Sequence, residues 1–196
     1  MKKILILLLI LFASNIYAKD YDFAILKEIN LHRNKSLDPT FKFLTNSATP
    51  IVIAAPIIIY SIGLIEKDSL LKTKGLYIGE TELGAAIIAT ILKYSIDRDR
   101  PFYTHPAGVD VEALEGSPSF PSGHTSAAFS MATSMSIAFP KWYVTVPAFV
   151  WAGAVGYSRM DLGVHYPTDV LAGAAIGAGS AYLCYKLNKW LNKKKR

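Results

Sequence analysis

The sequence predicts an all-α protein, a bundle of five to six helices that mostly cross a membrane. Its 196 residues are 52% hydrophobic and only 18% charged, and the mean hydropathy of +0.28 lies on the apolar side of what water-soluble proteins show. Apolar segments alternate with polar loops, and no stretch has the every-second-residue alternation of a half-buried strand. The length suits one domain, predicted over residues 19–196.

The first 18 residues, MKKILILLLILFASNIYA, have the pattern of an export signal. Two lysines precede an uncharged apolar run, and Ser14 and Ala18 supply the small residues that a signal peptidase requires. An uncleaved first transmembrane helix over the same residues stays open as an alternative, because Ile16 and Lys19 are unusual next to a cleavage site.

The next segment, DYDFAILKEINLHRNKSLDPTFKF, predicts a short amphipathic helix at an interface, with Asn34 and Pro39 as helix breakers. Five apolar helices are predicted after it, over residues 43–65, 75–92, 125–139, 142–157 and 170–185. The first carries no charge and is long enough to cross about 30 Å of hydrocarbon.

The later helices are rich in Ala, Gly and Ser, which favours close packing, and Gly173 and Gly177 form a small GxxxG face. Several of them are nearer 16 residues than the roughly 20 of an ordinary spanning helix. A water-soluble helical bundle is therefore the alternative to a membrane protein.

The distribution of lysines predicts the orientation of the bundle. The loops EKDSLLKTK and PKWY and the tail KLNKWLNKKKR all belong on the inner side, as the positive-inside rule requires. The same count leaves residues 93–122 and 158–169 together on the outer, periplasmic or exterior, face of a bacterial-type inner membrane. Loss of Lys2 and Lys3 with the signal would lower the formal charge from +6 to +4, which does not suggest nucleic acid.

The predicted outer face collects cations and histidines. Lys93, Arg100 and Arg159 are three long cations, although each alone could be a residue at a helix end whose charged head reaches water. Ser122 is a good helix N-cap, and a helix that begins there aims free backbone N–H groups and its positive dipole end at this face. Together these groups predict a site for a dense oxyanion such as phosphate.

A histidine and an aspartate, His165 and Asp169, are four residues apart in HYPTD. If Asp169 accepts the proton on Nδ1, then Nε2 of His165 is free to attack phosphorus, and His124 could protonate the leaving oxygen. The same side chains could bind a metal, but three nearby cations would repel a divalent ion. We therefore expect a metal-free reaction with no cofactor.

Three segments together resemble the signature of the type 2 phosphatidic acid phosphatase and vanadium haloperoxidase superfamily, in order and in internal spacing. They are KYSIDRDRP (93–101), PSGH (121–124) and SRMDLGVHYPTD (158–169). The apolar helices around them are similar to the membrane branch of that superfamily.

The resemblance implies a role for each of eight residues. The phosphate would be held by Lys93, Arg100, Ser122, the Gly123 amide and Arg159. The reaction would be carried out by His165 as the nucleophile that forms a phosphohistidine, Asp169 as its orienting partner and His124 as the general acid.

The leading functional interpretation is a membrane phosphatase that acts on a lipid phosphate or diphosphate at the outer face. Phosphatidate, phosphatidylglycerol phosphate, isoprenoid diphosphate and lipid A phosphate all stay open as substrates, and so does the oligomeric state. The alternatives are a soluble, exported acid phosphatase of broad specificity, a vanadium haloperoxidase and a non-catalytic lipid-binding protein.

Overall fold

The computed structural model describes residues 21–194, which form helices joined by loops, with no β-strand among them. The predicted all-α fold is therefore confirmed over these residues, whereas the predicted export signal over residues 1–18 lies outside them. The helices are α1 (21–31), α2 (Asp38–Ile65), α3 (Ser69–Ile96), α4 (Pro101–Thr104), α5 (Gly123–Ala138), α6 (Trp142–Asp161) and α7 (Pro167–Lys194).

Four of the predicted helices begin earlier than the sequence predicts, and the differences are largest for α2 and α3, which begin at residues 38 and 69 instead of 43 and 75. Pro39, predicted to break a helix, instead lies in the first turn of α2, where its missing N–H costs no hydrogen bond. The Asp68 carboxylate caps α3 by accepting hydrogen bonds from the backbone N–H groups of Leu70 (2.8 Å) and Leu71 (3.1 Å). This cap draws part of the predicted polar loop into α3.

Three stretches of the described chain are long and apolar enough to cross a bilayer: Lys35–Ile65, Ser69–Thr104 and Pro167–Leu191. Ile53 and Ile57 of α2 expose more than half of their surface, 57% and 59%. Such large apolar side chains on the outside of a bundle suit contact with lipid.

Helix α5 is the centre of the bundle and contacts α2, α3, α6 and α7. Its contact with α7 depends on the two glycines of the predicted GxxxG face. A Cβ atom on Gly173 would lie 2.7 Å from the carbonyl oxygen of Ser122, and one on Gly177 would collide with the carbonyl oxygen of Ser126. The glycines therefore let the two backbones approach closely, which fixes the start of α7 beside the start of α5.

The segment 105–122 and helix α1 cover the end of the bundle where α3 and α6 end and where α5 and α7 begin. Leu26 of α1 is fully buried and packs against Val109 and Tyr166. The side-chain amide of Asn30 donates hydrogen bonds to the backbone carbonyls of Asp110 (2.9 Å) and Asp161 (2.7 Å). Helix α1, predicted to lie at an interface, is thus docked on the end of the bundle that carries the predicted site.

Candidate active site

The structure brings all eight residues singled out from the sequence to this one end of the bundle. Lys93 lies in the last turn of α3, and Arg100 directly precedes α4. Ser122, Gly123 and His124 form the start of α5, Arg159 is in the last turn of α6, and His165 and Asp169 flank the start of α7.

His165 and Asp169 form a buried pair. The distance between Nδ1 of His165 and Oδ2 of Asp169 is 3.5 Å, and their side chains are 1% and 0% exposed. Oδ2 also accepts hydrogen bonds from the Ser119 hydroxyl (2.5 Å) and the backbone N–H of Tyr166 (3.0 Å). The carboxylate therefore faces Nδ1, which leaves Nε2 of the ring for another partner.

Nε2 of His165 lies 3.4 Å from Nη1 of Arg100. Burial, against the opposing effect of Asp169, and the nearby Arg159 and Arg100 lower the pKa of His165 to about 4. At neutral pH the ring is uncharged, and its Nε2 lone pair points toward the cations. This is the protonation state that a nitrogen nucleophile requires.

Arg100 and Arg159 form the centre of the cation cluster, and both are almost completely buried. The Arg100 guanidinium donates to the carbonyls of Ser117 (2.7 Å) and Val164 (3.1 Å). Nη1 of Arg159 donates to the hydroxyl of Thr45 in α2 (2.6 Å). Among residues 21–194, Nε of Arg159 is buried without a hydrogen-bond partner.

Lys93 contacts the segment 105–122, which also contains Ser117. Its ammonium donates to the carbonyl oxygen of Pro118 at 2.5 Å. Lys93 also lines a cleft of about 470 Å³ between α2, α3 and α5, together with Gly123. The third predicted cation is therefore at the point where an apolar cleft reaches the site.

The start of α5 has the predicted capping geometry. Ser122 is fully buried, and its hydroxyl accepts a hydrogen bond from the backbone N–H of Thr125 (3.4 Å), while its own N–H donates to the carbonyl of Asp169 (3.0 Å). A Cβ atom on Gly123 would meet nothing within 4 Å. The side-chain position of Gly123 is therefore open, and its N–H, as the first of the helix, has no partner inside α5, which suits the binding of an anion.

His124 is the more accessible of the two predicted catalytic histidines: 30% of its side chain is exposed, against 1% for His165. Burial and the nearby Arg159 lower the pKa of His124 to about 4, even though Glu115 acts in the opposite direction. Without phosphate the ring is therefore neutral at pH 7. A bound phosphate dianion would favour the protonated ring, because it adds negative charge to the same cluster.

Glu115 is a site residue that sequence reasoning missed. Its carboxylate accepts a hydrogen bond from Nη2 of Arg100 (2.6 Å) and is paired with Nη2 of Arg159, and it lies 4.0 Å from Nδ1 of His124. Burial alone would raise the pKa of Glu115, but Arg159 and Arg100 lower it to about 2. Glu115 lies in the loop 105–122, outside the three quoted motifs, so no sequence pattern identifies it.

Arg98 and Ser119 were also missed, although Arg98 lies within KYSIDRDRP and Ser119 lies two residues before PSGH. Ser119 contacts Asp169, as described above, and the guanidinium of Arg98 donates to Oδ1 of the same carboxylate at 2.7 Å. Within residues 21–194, no group of three His, Cys, Asp or Glu side chains is arranged to hold a metal ion.

Proteins of similar sequence have names that specify phosphorylated lipids as their substrates. The chain is 32% identical over 109 residues to the lipid A 1-phosphatase of Rhizobium johnstonii, and the match covers 53% of this chain and 43% of that protein. It is 28% identical over 160 residues to the undecaprenyl-diphosphatase BcrC of Bacillus subtilis, covering 82% and 79%. The chain thus spans less than half of the first relative's length.

Solved structures show the same fold. The crystal structure of the transmembrane PAP2 type phosphatidylglycerolphosphate phosphatase from Bacillus subtilis superimposes with a TM-score of 0.74 at 27% identity and covers 94% of each chain. The family model of the PAP2 superfamily matches residues 74–193, a range that contains all eight predicted site residues. This protein is a helical membrane protein that belongs to the PAP2 superfamily.

Proposed function

We propose that the protein is a membrane phosphatase that removes phosphate from a lipid phosphate or diphosphate. The observation that carries this proposal is the continuity between the cation cluster and an apolar cleft. The relatives named above support the lipid class, since each name specifies a phosphorylated lipid.

The cleft between α2, α3 and α5 suits a lipid chain. Its walls are mostly apolar and include Val52, Ile53, Pro56, Leu83, Ala86 and Ala89, with Glu82 as the one acidic residue among the lining side chains, and its end is formed by Lys93 and Gly123. A phosphate held at Lys93 would therefore leave its hydrocarbon tail among apolar side chains of spanning helices. A small soluble ester would gain nothing from these walls.

In the first half of the reaction, Nε2 of His165 attacks the phosphorus atom. A nitrogen–phosphorus bond forms, the bond from phosphorus to the lipid oxygen breaks, and His124 gives its proton to that oxygen. Lys93, Arg100 and Arg159 balance the charge that develops on the phosphoryl oxygens. Asp169 keeps the proton on Nδ1 and balances the positive charge of the phosphorylated ring.

In the second half, water attacks the phosphohistidine. His124, which is now neutral, takes a proton from this water, the nitrogen–phosphorus bond breaks, and inorganic phosphate leaves. The protonation states of His124 and His165 are then the starting ones. We expect every step to proceed with these side chains alone, and EDTA to leave the rate unchanged.

We further propose that the site faces the outer side of a bacterial-type inner membrane. The opposite ends of the same helices carry lysines that belong on the cytoplasmic side: Lys67, Lys72 and Lys74 at the turn between α2 and α3, and Lys186 and Lys189 near the end of α7. Replacement of Cys184, the only cysteine, by Ser allows single cysteines to be placed at Glu66 or Leu114. A membrane-impermeant maleimide should label position 114 in intact cells and position 66 only after lysis.

A phosphate-release assay on purified protein tests the activity. The panel compares lipid phosphates and diphosphates with a small soluble ester, with and without EDTA, and uses His165→Ala as the inactive control. We expect release from at least one lipid substrate, well above the soluble ester, and none from His165→Ala. Preference for the soluble ester would contradict the lipid substrate, and full activity in His165→Ala would contradict the mechanism.

A further inference from the structure

Asp169, which the mechanism needs as the partner of His165, is itself held by a cation from another segment. Nη1 of Arg98 donates hydrogen bonds to Oδ1 of Asp169 (2.7 Å) and to the hydroxyl of Thr168 (2.8 Å). The guanidinium carbon lies 3.9 Å from the ring centre of Tyr166, so the planar group is stacked as well as hydrogen-bonded. Arg98 therefore has a fixed orientation beside the carboxylate.

Asp22 in α1 holds the other side of this guanidinium. Its Oδ2 accepts a hydrogen bond of 2.7 Å from Nη2 of Arg98, and its Oδ1 accepts one of 2.9 Å from the backbone N–H of Thr168. Oδ2 also accepts from the Thr168 hydroxyl at 2.5 Å. Only 4% of Asp22 is exposed. A buried carboxylate from the first described helix thus reaches the start of α7.

The two oxygens of Asp169 have separate partners. Oδ2 faces Nδ1 of His165 and accepts from Ser119, whereas Oδ1 accepts from Arg98. A carboxylate bound on both oxygens cannot rotate about its terminal torsion, so Oδ2 stays directed at the imidazole. The positive charge of Arg98 beside Oδ1 also makes Asp169 less able to take the Nδ1 proton away from the ring.

We propose that Arg98 is a positioning residue for the nucleophile, and that Asp22 of α1 acts on the reaction by holding Arg98 against Asp169. The inference rests on the proposed phosphatase function and deepens it. Neither residue contacts the phosphate-binding side chains, so both act through Asp169. Helix α1 thereby belongs to the catalytic apparatus, although residues 21–31 precede the stretch matched by the family model.

A purely structural role for Asp22 would be the docking of α1, but other contacts already provide that docking. Leu26 is fully buried against Val109 and Tyr166, and Asn30 bonds to the backbone of Asp110 and to that of Asp161 at the end of α6. Asn30→Ala is therefore the matched control, because it weakens the docking of α1 without touching Arg98 or Asp169. A docking defect alone should appear equally in Asn30→Ala and Asp22→Asn.

The experiment measures kcat, KM and inhibition by inorganic phosphate for wild type, Arg98→Gln, Arg98→Lys, Asp22→Asn, Arg98→Gln/Asp22→Asn and Asn30→Ala. We expect Arg98→Gln to lower kcat by about 10- to 100-fold, the range seen when a partner that orients a functional histidine is lost. KM and the inhibition constant of phosphate should change less than about twofold, because the cation cluster is intact. Arg98→Lys should recover most of the lost kcat, since its ammonium can still contact Oδ1.

Asp22→Asn should lower kcat several-fold, and the double variant should be no slower than Arg98→Gln alone, because the two residues act in one chain. Unchanged kcat in Arg98→Gln would overturn the inference. So would a double variant whose loss of kcat equals the product of the losses in the two single variants. If Arg98→Gln fails to fold, Asp22→Asn decides, and wild-type kcat in that variant would overturn it. Absence of phosphate release by the wild type would instead refute the proposed function.

Discussion

Oε2 of Glu115 accepts a 2.6 Å hydrogen bond from Nη2 of Arg100. The other carboxylate oxygen is paired with Arg159 and lies near His124. A carboxylate thus contacts the same buried cations that the proposed mechanism assigns to phosphate. Glu115 thus occupies Nη2 of both guanidinium groups, and a phosphate bound to these nitrogens would have to displace this side chain.

Glu115→Gln should therefore strengthen binding of inorganic phosphate. The neutral amide competes weakly for the two guanidinium groups, so a larger fraction of the protein is ready to bind, and the inhibition constant of phosphate should fall at least about tenfold. Glu112→Gln is the matched control, since Glu112 is in the same loop but pairs with Lys42 (2.8 Å). Equal inhibition constants for wild type and Glu115→Gln would show that Glu115 does not compete.

The pH dependence follows from the two histidines. The mechanism needs neutral His165 and protonated His124, and the pKa of each is lowered to about 4 when no phosphate is bound. Because kcat/KM reports the free enzyme, its pH profile should be bell-shaped with a maximum near pH 4, falling at higher pH as His124 loses its proton and at lower pH as His165 gains one. A kcat/KM profile that rises up to pH 8 would contradict the assigned roles.

Thr45 connects α2 to Arg159, one of the cations that we propose to bind phosphate. Its hydroxyl accepts the 2.6 Å hydrogen bond from Arg159, which has no partner for Nε among the described residues. Thr45→Val should raise KM roughly tenfold, because a hydrogen bond to a charged group contributes about 1.5–3 kcal/mol. Thr45→Ser keeps the hydroxyl and should retain the wild-type KM. Steady-state kinetics that show the same KM for both variants would refute a role for this contact.

The close contact between α5 and α7 should be sensitive to a single methyl group. Gly177→Ala places a Cβ atom against the Ser126 carbonyl and should destabilise the protein by about 1–3 kcal/mol. Gly179→Ala, two residues further along α7, meets nothing within 4 Å and should not destabilise it. Thermal unfolding in detergent measures both. A Gly177→Ala protein as stable as Gly179→Ala would contradict the packing described for these helices.

Much of the fold could be predicted because long apolar runs and glycine spacing are local signals. The ends of the helices were predicted less well, since they depend on caps such as Asp68 and on the position of Pro39 in a first turn. The predicted bounds follow the apolar runs, so they leave out the polar residues in the first and last turns of the helices.

The site could be predicted where its residues belong to spaced motifs. His165 and Asp169 are four residues apart, so their contact follows from the chain itself. Glu115 and Asp22 reach the site only through tertiary contacts with Arg100 and Arg98. Nothing in the sequence near either acidic residue specifies these contacts, so only the folded structure shows them.

The most direct test of the central claim is a search for phosphate on His165 during turnover. A lipid phosphate labelled in its phosphoryl group is mixed with the protein, the reaction is quenched in alkali within milliseconds, and the peptides are analysed by mass spectrometry. The account predicts a phosphohistidine at position 165 that is stable in alkali, labile in acid and absent from His165→Ala. Turnover of the lipid with no label on His165, or with the label on another residue, would contradict it.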